Sequence, residues 1–182
     1  MNENKHKWIG ITGTWRRTNN EVEQDVRSAV REIITRGDGV VVGGALGVDY
    51  FALNEAIRVN PDAARIKVVL PSSLKDYIAH LQMWASGYDT GDPAITSEEA
   101  ERLANQLRGL EKINQGSIVE SSTETGDKIN KDVYFTRNSI VVELSNEVIA
   151  FQVNDSAGTQ DTINKARGAG KNVIVHSYSI TK

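Results

Sequence analysis

The run Val40-Val41-Val42-Gly43-Gly44-Ala45-Leu46-Gly47-Val48-Asp49 carries an apolar strand straight into a glycine-rich turn and a helix. Three consecutive β-branched residues favour extended backbone, and a strand that is apolar on both faces is one covered on both faces. The helix after the turn carries Val48, Phe51, Ala52, Ala56 and Ile57 inward, and Asn60-Pro61 stops it.

The same unit recurs on both sides. Trp8 to Thr12 reads as a first strand closed by Gly13-Thr14. Asn20 followed by Glu23 resembles a capping box, and Val22, Val26, Ala29, Val30, Ile33 and Ile34 then repeat at helical spacing until Gly37-Asp38-Gly39. Lys67 to Leu70 is a third strand ended by Pro71-Ser72-Ser73. A helix from Leu74 to Ala85 follows, able to bury Leu74, Ile78, Leu81 and Trp84 or Ala85. Later come a helix from Lys131 to Leu144, a fourth strand from Glu147 to Val153, a helix from Thr159 to Gly168, and a last strand from Asn172 to His176. Short apolar strands alternating with helices predict an α/β, Rossmann-like doubly wound, mainly parallel sheet with helices on both faces.

Between these blocks the composition turns polar. Residues 86–131 are read as a polar helical insertion or lid at one edge of the fold, or else as a solvated surface helix with mobile flanks. It holds a helix from Ser97, capped by that serine, to Ile113, with Leu103, Leu107 and Leu110 as a thin apolar stripe. With 182 residues the chain is expected to form one domain, 1–182.

Composition narrows the function classes. Apolar residues make up 39% and charged residues 25%, as in ordinary globular domains. There is no cysteine, which excludes disulfides, thiolate metal sites and a cysteine nucleophile. His6, His80 and His176 are scattered, so no metal is expected. The net charge of −3 does not favour a nucleic-acid partner, although a local basic patch would permit one. No apolar run is long enough to span a bilayer, and the polar start is unlike a signal peptide, so a cytoplasmic location and no membrane partner are expected. No cofactor is expected, and a homodimer is the default assembly.

Ligands of doubly wound sheets bind at the carboxyl ends of the strands. Four strand ends deliver small residues there: Gly13 and Thr14, the stretch Gly43, Gly44, Ala45 and Gly47, then Pro71-Ser72-Ser73, then Ser156, Gly158 and Thr159. Glycines let backbone amides approach an anion, helix starts add a positive dipole end, and the hydroxyls add donors. Tight turns need glycine in any case, but two such turns plus hydroxyls point to a phosphate site. Asp49 sits in the first turn of its helix, either as a favourable helix-start charge or as a group that orients the glycine loop or accepts from a ribose or base. Arg137 falls on the inward stripe of its helix, between Val133 and Val141, and such a buried arginine needs a partner. It is read as a ligand for phosphate, beside Asn138, or as half of an ion pair with Asp49 or Asp155. Trp15 with Arg16 and Arg17 is either a stacking and phosphate-contacting group or a solvated loop plugged by Trp15.

These stretches carry a resemblance. Gly43 to Asp49 resembles the GGAxG(I/V)D motif of the DNA-processing protein A family. Arg137-Asn138-Ser139-Ile140-Val141 with Leu144-Ser145 and Ser156-Ala157-Gly158-Thr159 resembles that family's RNxIIAxLS…SGS region. The same elements are similar to those of the wider SLOG superfamily, which includes the LOG phosphoribohydrolases. The resemblance implies a Rossmann-like fold binding a nucleotide, another phosphorylated small molecule, or single-stranded DNA. For the LOG enzymes it implies cleavage of a nucleoside 5'-monophosphate, with Arg137 as the catalytic candidate. The glutamate of their motif falls on Thr162, with Asp49, Asp155 and Asp161 as other carboxylates. The leading reading is a nucleotide- or phosphate-binding protein. The alternatives are an N-glycosidase and a single-stranded-DNA-binding protein.

Overall fold

Every second residue of the central strands belongs to a different apolar layer, and that alternation sets the architecture. Val40, Val42, Val68 and Leu70 join one core with Ile9, Ile11 and Phe151, while Val41 and Val69 join a second with Val141. Helices must therefore lie on both faces. The computed structural model describes residues 6–87, 94–121 and 129–181. Its elements run β1 (Trp8–Gly13), α1 (Asn20–Thr35), β2 (Gly39–Val42), α2 (Val48–Val59), β3 (Ile66–Leu70), α3 (Leu74–Ser86) and α4 (Ser97–Ile113). They continue with β4 (Ile118–Glu120), α5 (Lys131–Leu144), β5 (Glu147–Val153), α6 (Ala157–Gly168) and β6 (Asn172–Tyr178).

All pairings are parallel, in the order β4-β3-β2-β1-β5-β6. The expected doubly wound α/β sheet is thus present. The chain winds outward from β1 to β4, then returns to the other side of β1 as β5. Ile9 stands opposite both Val40 and Glu147 in register. The reversal opens a crevice between the carboxyl ends of β1 and β5, where the crossover turns diverge to opposite faces. One face is packed by α1, α2 and the apolar stripe of α4, the other by α5 and α6.

The structure adds a strand that the sequence reading lacks. Within the stretch read as an insertion, Ile118–Glu120 pairs with β3 and forms an edge of the sheet. Glu120 then accepts the backbone amide of Leu74 at 2.7 Å, fixing the start of α3. Ala100, Leu103, Ala104, Leu107 and Leu110 of α4 are all buried, so this helix is part of the core rather than a solvated surface helix. Residues 88–93 and 122–128 of the stretch lie outside the described residues.

Two caps shift by one residue. Asn19, not Asn20, accepts from Val22 N at 3.0 Å. Thr96, not Ser97, caps α4 in a reciprocal box with Glu99. On α2, Leu53 is fully buried while Phe51 and Ile57 are half-buried. No helix among the described residues is long and apolar enough to cross a membrane.

Candidate functional site

The turn after β2 is held from several sides. Gly47 has φ +67°, and a Cβ there would lie 2.8 Å from both Cα and O of Trp15. The close approach is needed because Val48 N donates to Thr14 O at 3.1 Å, locking the turn after β2 to the turn after β1. Thr14 N in turn donates to Phe151 O of β5 at 3.4 Å. The turns after β1 and β2 are thereby tied to each other and to β5 at the crevice.

The loop carbonyls are taken by side chains from beneath. Tyr77 of α3 donates its hydroxyl to Gly44 O at 3.1 Å, and Arg137 of α5 donates to Gly43 O. Asp49 accepts from Ala45 N at 3.3 Å and lies 3.7 Å from the Arg137 guanidinium. A Cβ on Gly43 would strike that guanidinium and come 2.8 Å from Asp49 Oδ2, so only glycine lets the pair close under the loop. Both side chains are about 10% exposed. Burial pushes the Asp49 carboxyl up to about 6, against the opposing pull of Arg137 and of the Ala45 and Gly43 amides. Of the two ion-pair partners considered for Arg137, the structure brings Asp49. Asp155 is exposed, in a left-handed turn.

Above this pair lies a cavity of about 620 Å³, within the usual range for small-ligand sites. Its walls include Gly13, Gly43, Ala45, Asp49, Arg137 and Asn138, and on the far side Ser156, Gly158 and Thr159 at the start of α6. Trp15 and Thr162 line it too, whereas Thr14, Arg16, Gly44 and Gly47 do not. Thr14 and Gly47 hold the turns to each other, and Gly44 packs toward Leu70 and Val68. Arg16 is exposed, with its guanidinium 4.6 Å from the Trp15 ring centroid. At the end of β3, Ser72 is buried and Ser73 caps α3.

Buried polar atoms of the walls without a hydrogen-bond partner among the described residues include Arg137 Nε and Thr159 Oγ1. Ser156 stands at the N-cap of α6 without using its side chain as a cap, so the first amides of that helix receive nothing from it. At the position of the LOG glutamate, Thr162 is buried and its hydroxyl donates to Gly158 O at 3.4 Å. Asp161 is committed to Lys165 at 2.7 Å and to Asn138 at 3.1 Å. Asp49 is therefore the carboxylate of the cavity wall among the described residues.

The sequence reading missed a group of large side chains on this wall: Tyr77, His80, Leu81, Trp84 and Tyr134. A signal existed for some of them. Tyr77, Leu81 and Trp84 share one face of α3 at spacings of four and three, and Tyr134 lies one helical turn before Arg137. Tyr77 and Tyr134 hold their phenol protons more tightly than usual because their hydroxyls are buried, Tyr134 up to about 12.

A family model described as DNA recombination-mediator protein A matches residues 1–182. Among solved structures, the chain is similar to DNA processing protein A of Helicobacter pylori, described for its single-stranded DNA binding mode. The TM-score is 0.64 at 24% identity, over 93% of this chain and 64% of that one. It is also similar to DNA processing protein A of Streptococcus pneumoniae, with a TM-score of 0.62 at 16% identity over 94% of this chain and 50% of that one. The chain thus spans less than two thirds of the length of either. No curated protein matches it.

Proposed function

The chain belongs to the DNA recombination-mediator protein A family, and from that membership we propose that its crevice binds the phosphate of a nucleotide-sized ligand. The observation that carries this reading is the buried Arg137 at the point where the strand order reverses. It faces the start of α6 across a cavity with its own Nε and the Thr159 hydroxyl unsatisfied. Leaving buried polar atoms unpaired costs about 1–3 kcal/mol each, and a phosphate oxygen would satisfy both kinds of donor. The first amides of α6 and the Ser156 hydroxyl supply further donors, and the helix dipole favours the charge. Asp49 orients the guanidinium and balances its buried charge.

A second reading, that the phosphate belongs to single-stranded DNA, is favoured by the family membership and by the DNA-binding relative from Helicobacter pylori. The net charge of −3 does not favour this reading, although a local basic patch would permit it. The protein is also taken to act as a homodimer, which sedimentation equilibrium tests.

Calorimetric titration with nucleoside monophosphates and with a thymidine oligonucleotide tests the reading. Nucleotide binding is expected for the intact chain, with at least a ten-fold loss in Arg137→Ala. An oligonucleotide that binds far more tightly than its monomer, and more weakly as salt rises, would favour the second reading. Absence of binding in both arms would overturn both.

A further inference from the structure

We propose that the aromatic wall of the crevice is a base-stacking subsite, so that the unit recognised is a nucleobase joined to a phosphate rather than a sugar phosphate or a free anion. This rests on the phosphate reading above and names its ligand class. Three elements distant in sequence bring rings to one wall: Trp15 from the turn after β1, Trp84 from α3 and Tyr134 from α5. Their planes are nearly aligned. Trp15 and Trp84 are 5.4 Å apart between centroids at 22°, and Trp84 and Tyr134 are 6.4 Å apart at 20°. His80 adds a tilted ring 5.4 Å from Trp84.

This row is not closed core. Trp15, Trp84 and Tyr134 are each half-buried and border the cavity, whereas Phe151 and Tyr77 are buried outright. The row also begins where the phosphate handle ends. The Tyr134 ring centroid is 5.6 Å from the Arg137 guanidinium carbon. A ligand with its phosphate on Arg137 therefore has an aromatic surface within one residue's reach, and a flat ring is the shape that surface accepts.

Part of the polar capacity beside the rings is used within the protein. Asn130 Oδ1 caps α5 by accepting from Asp132 N and Val133 N, Asn138 Nδ2 donates to Asp161, and the Tyr77 hydroxyl donates to Gly44 O. Stacking on the ring faces is tolerant of which base is present, because every base has a π-face.

The test compares six probes on the intact chain: inorganic phosphate, ribose 5-phosphate, thymidine and adenosine 5'-monophosphates, and a thymidine oligonucleotide set against its abasic counterpart. The base-bearing probe is expected to bind about ten-fold more tightly than its base-free counterpart and to quench tryptophan fluorescence. Trp84→Ala is expected to remove about ten-fold from the nucleotide affinity while leaving ribose 5-phosphate unchanged, and Trp84→Phe to restore most of it. The circular dichroism melt of each variant checks that it folds. Should Trp84→Ala fail to fold, the phosphate-versus-nucleotide comparison on the unaltered chain still decides. Equal affinity for ribose 5-phosphate and nucleotides, and for intact and abasic strands, overturns the stacking subsite and leaves the phosphate reading standing. No binding of any probe overturns both. A base effect confined to the strand arm supports the subsite and identifies the source as single-stranded DNA; one seen with monophosphates identifies a free nucleotide.

Discussion

Arg137 and Asp49 lie 3.7 Å apart beneath the glycine loop, and one guanidinium nitrogen serves both the Asp49 carboxylate and the Gly43 carbonyl. The pair joins α5 to α2 across the sheet's central turn. Because both charges are buried, each is tolerated only while the other is present. Arg137→Met is expected to lower stability by about 3 kcal/mol at pH 7.5, measured by urea unfolding. Adding Asp49→Asn should recover part of that loss, because no carboxylate is then left alone. A double variant no more stable than Arg137→Met would show that the two side chains are not coupled.

The pH dependence of Asp49 has a definite sign. Its carboxyl is raised from the ordinary 3.8 to about 6 by burial, so the folded chain holds a proton that the unfolded chain releases between these values. Stability from this group is full below about pH 4 and falls as the pH rises through about 6. The net cost of ionisation above that point is on the order of 2–3 kcal/mol. Asp49→Asn abolishes this titration but leaves the Arg137 cation without its counter-charge, so its stability relative to the natural chain is expected to improve by about 2–3 kcal/mol between pH 4 and pH 7.5, on top of a pH-independent cost of the lost pair. Urea midpoints taken across this window check it. A difference independent of pH would mean that Asp49 does not titrate there.

Gly47 is held at φ +67°, ψ −126°, a region open essentially to glycine alone. An added methyl would also press on the Trp15 backbone. Gly47→Ala is expected to cost 3 kcal/mol or more, from strain of about 1–3 kcal/mol and the clash together. Gly158→Ala is the control. It lies in the first turn of α6 with open space where a Cβ would be, so its stability should stay within about 1 kcal/mol of the natural chain or rise slightly. Equal effects at the two positions would contradict the geometry.

The sheet was legible because its central strands are short, β-branched and apolar on both faces, as in Val40-Val41-Val42. Arg137 was legible because a charged residue interrupts an otherwise inward stripe. Strand β4 was not: Ile118-Val119-Glu120 is three residues long, partly exposed, and set in a polar stretch, so neither length nor alternation marks it. Its existence depends on pairing with β3, which is a tertiary fact. The aromatic wall was legible only in part: Trp15 was read as a stacking candidate, but that Trp84 and Tyr134 join it from two other elements is again a tertiary fact. Nor did pattern reveal the burial of Glu55, because its partners lie on two helices.

Glu55 of α2 is 3% exposed and is held by three arginines: Arg58 at 2.5 Å, Arg31 at 2.9 Å and Arg27 at 3.3 Å. Arg27 and Arg31 come from α1, so this one carboxylate fastens the two helices together. Its pKa is lowered from the ordinary 4.5 to about 2, first by the hydrogen bond from Arg58, against the cost of burial, with Arg31 and Arg27 adding to the pull. The stabilisation is present above about pH 4.5 and disappears as the pH falls through about 2, because the folded chain then takes up the proton that the unfolded chain already holds. Glu55→Gln keeps the shape and removes the charge. It is expected to cost about 1–3 kcal/mol at pH 7, with the difference from the natural chain shrinking steadily between pH 4.5 and pH 2. Arg58→Ala should cost less, because Arg58 is largely exposed and two arginines remain on the carboxylate. If Glu55→Gln loses as much stability at pH 2.5 as at pH 7, the charge is not what holds α1 to α2.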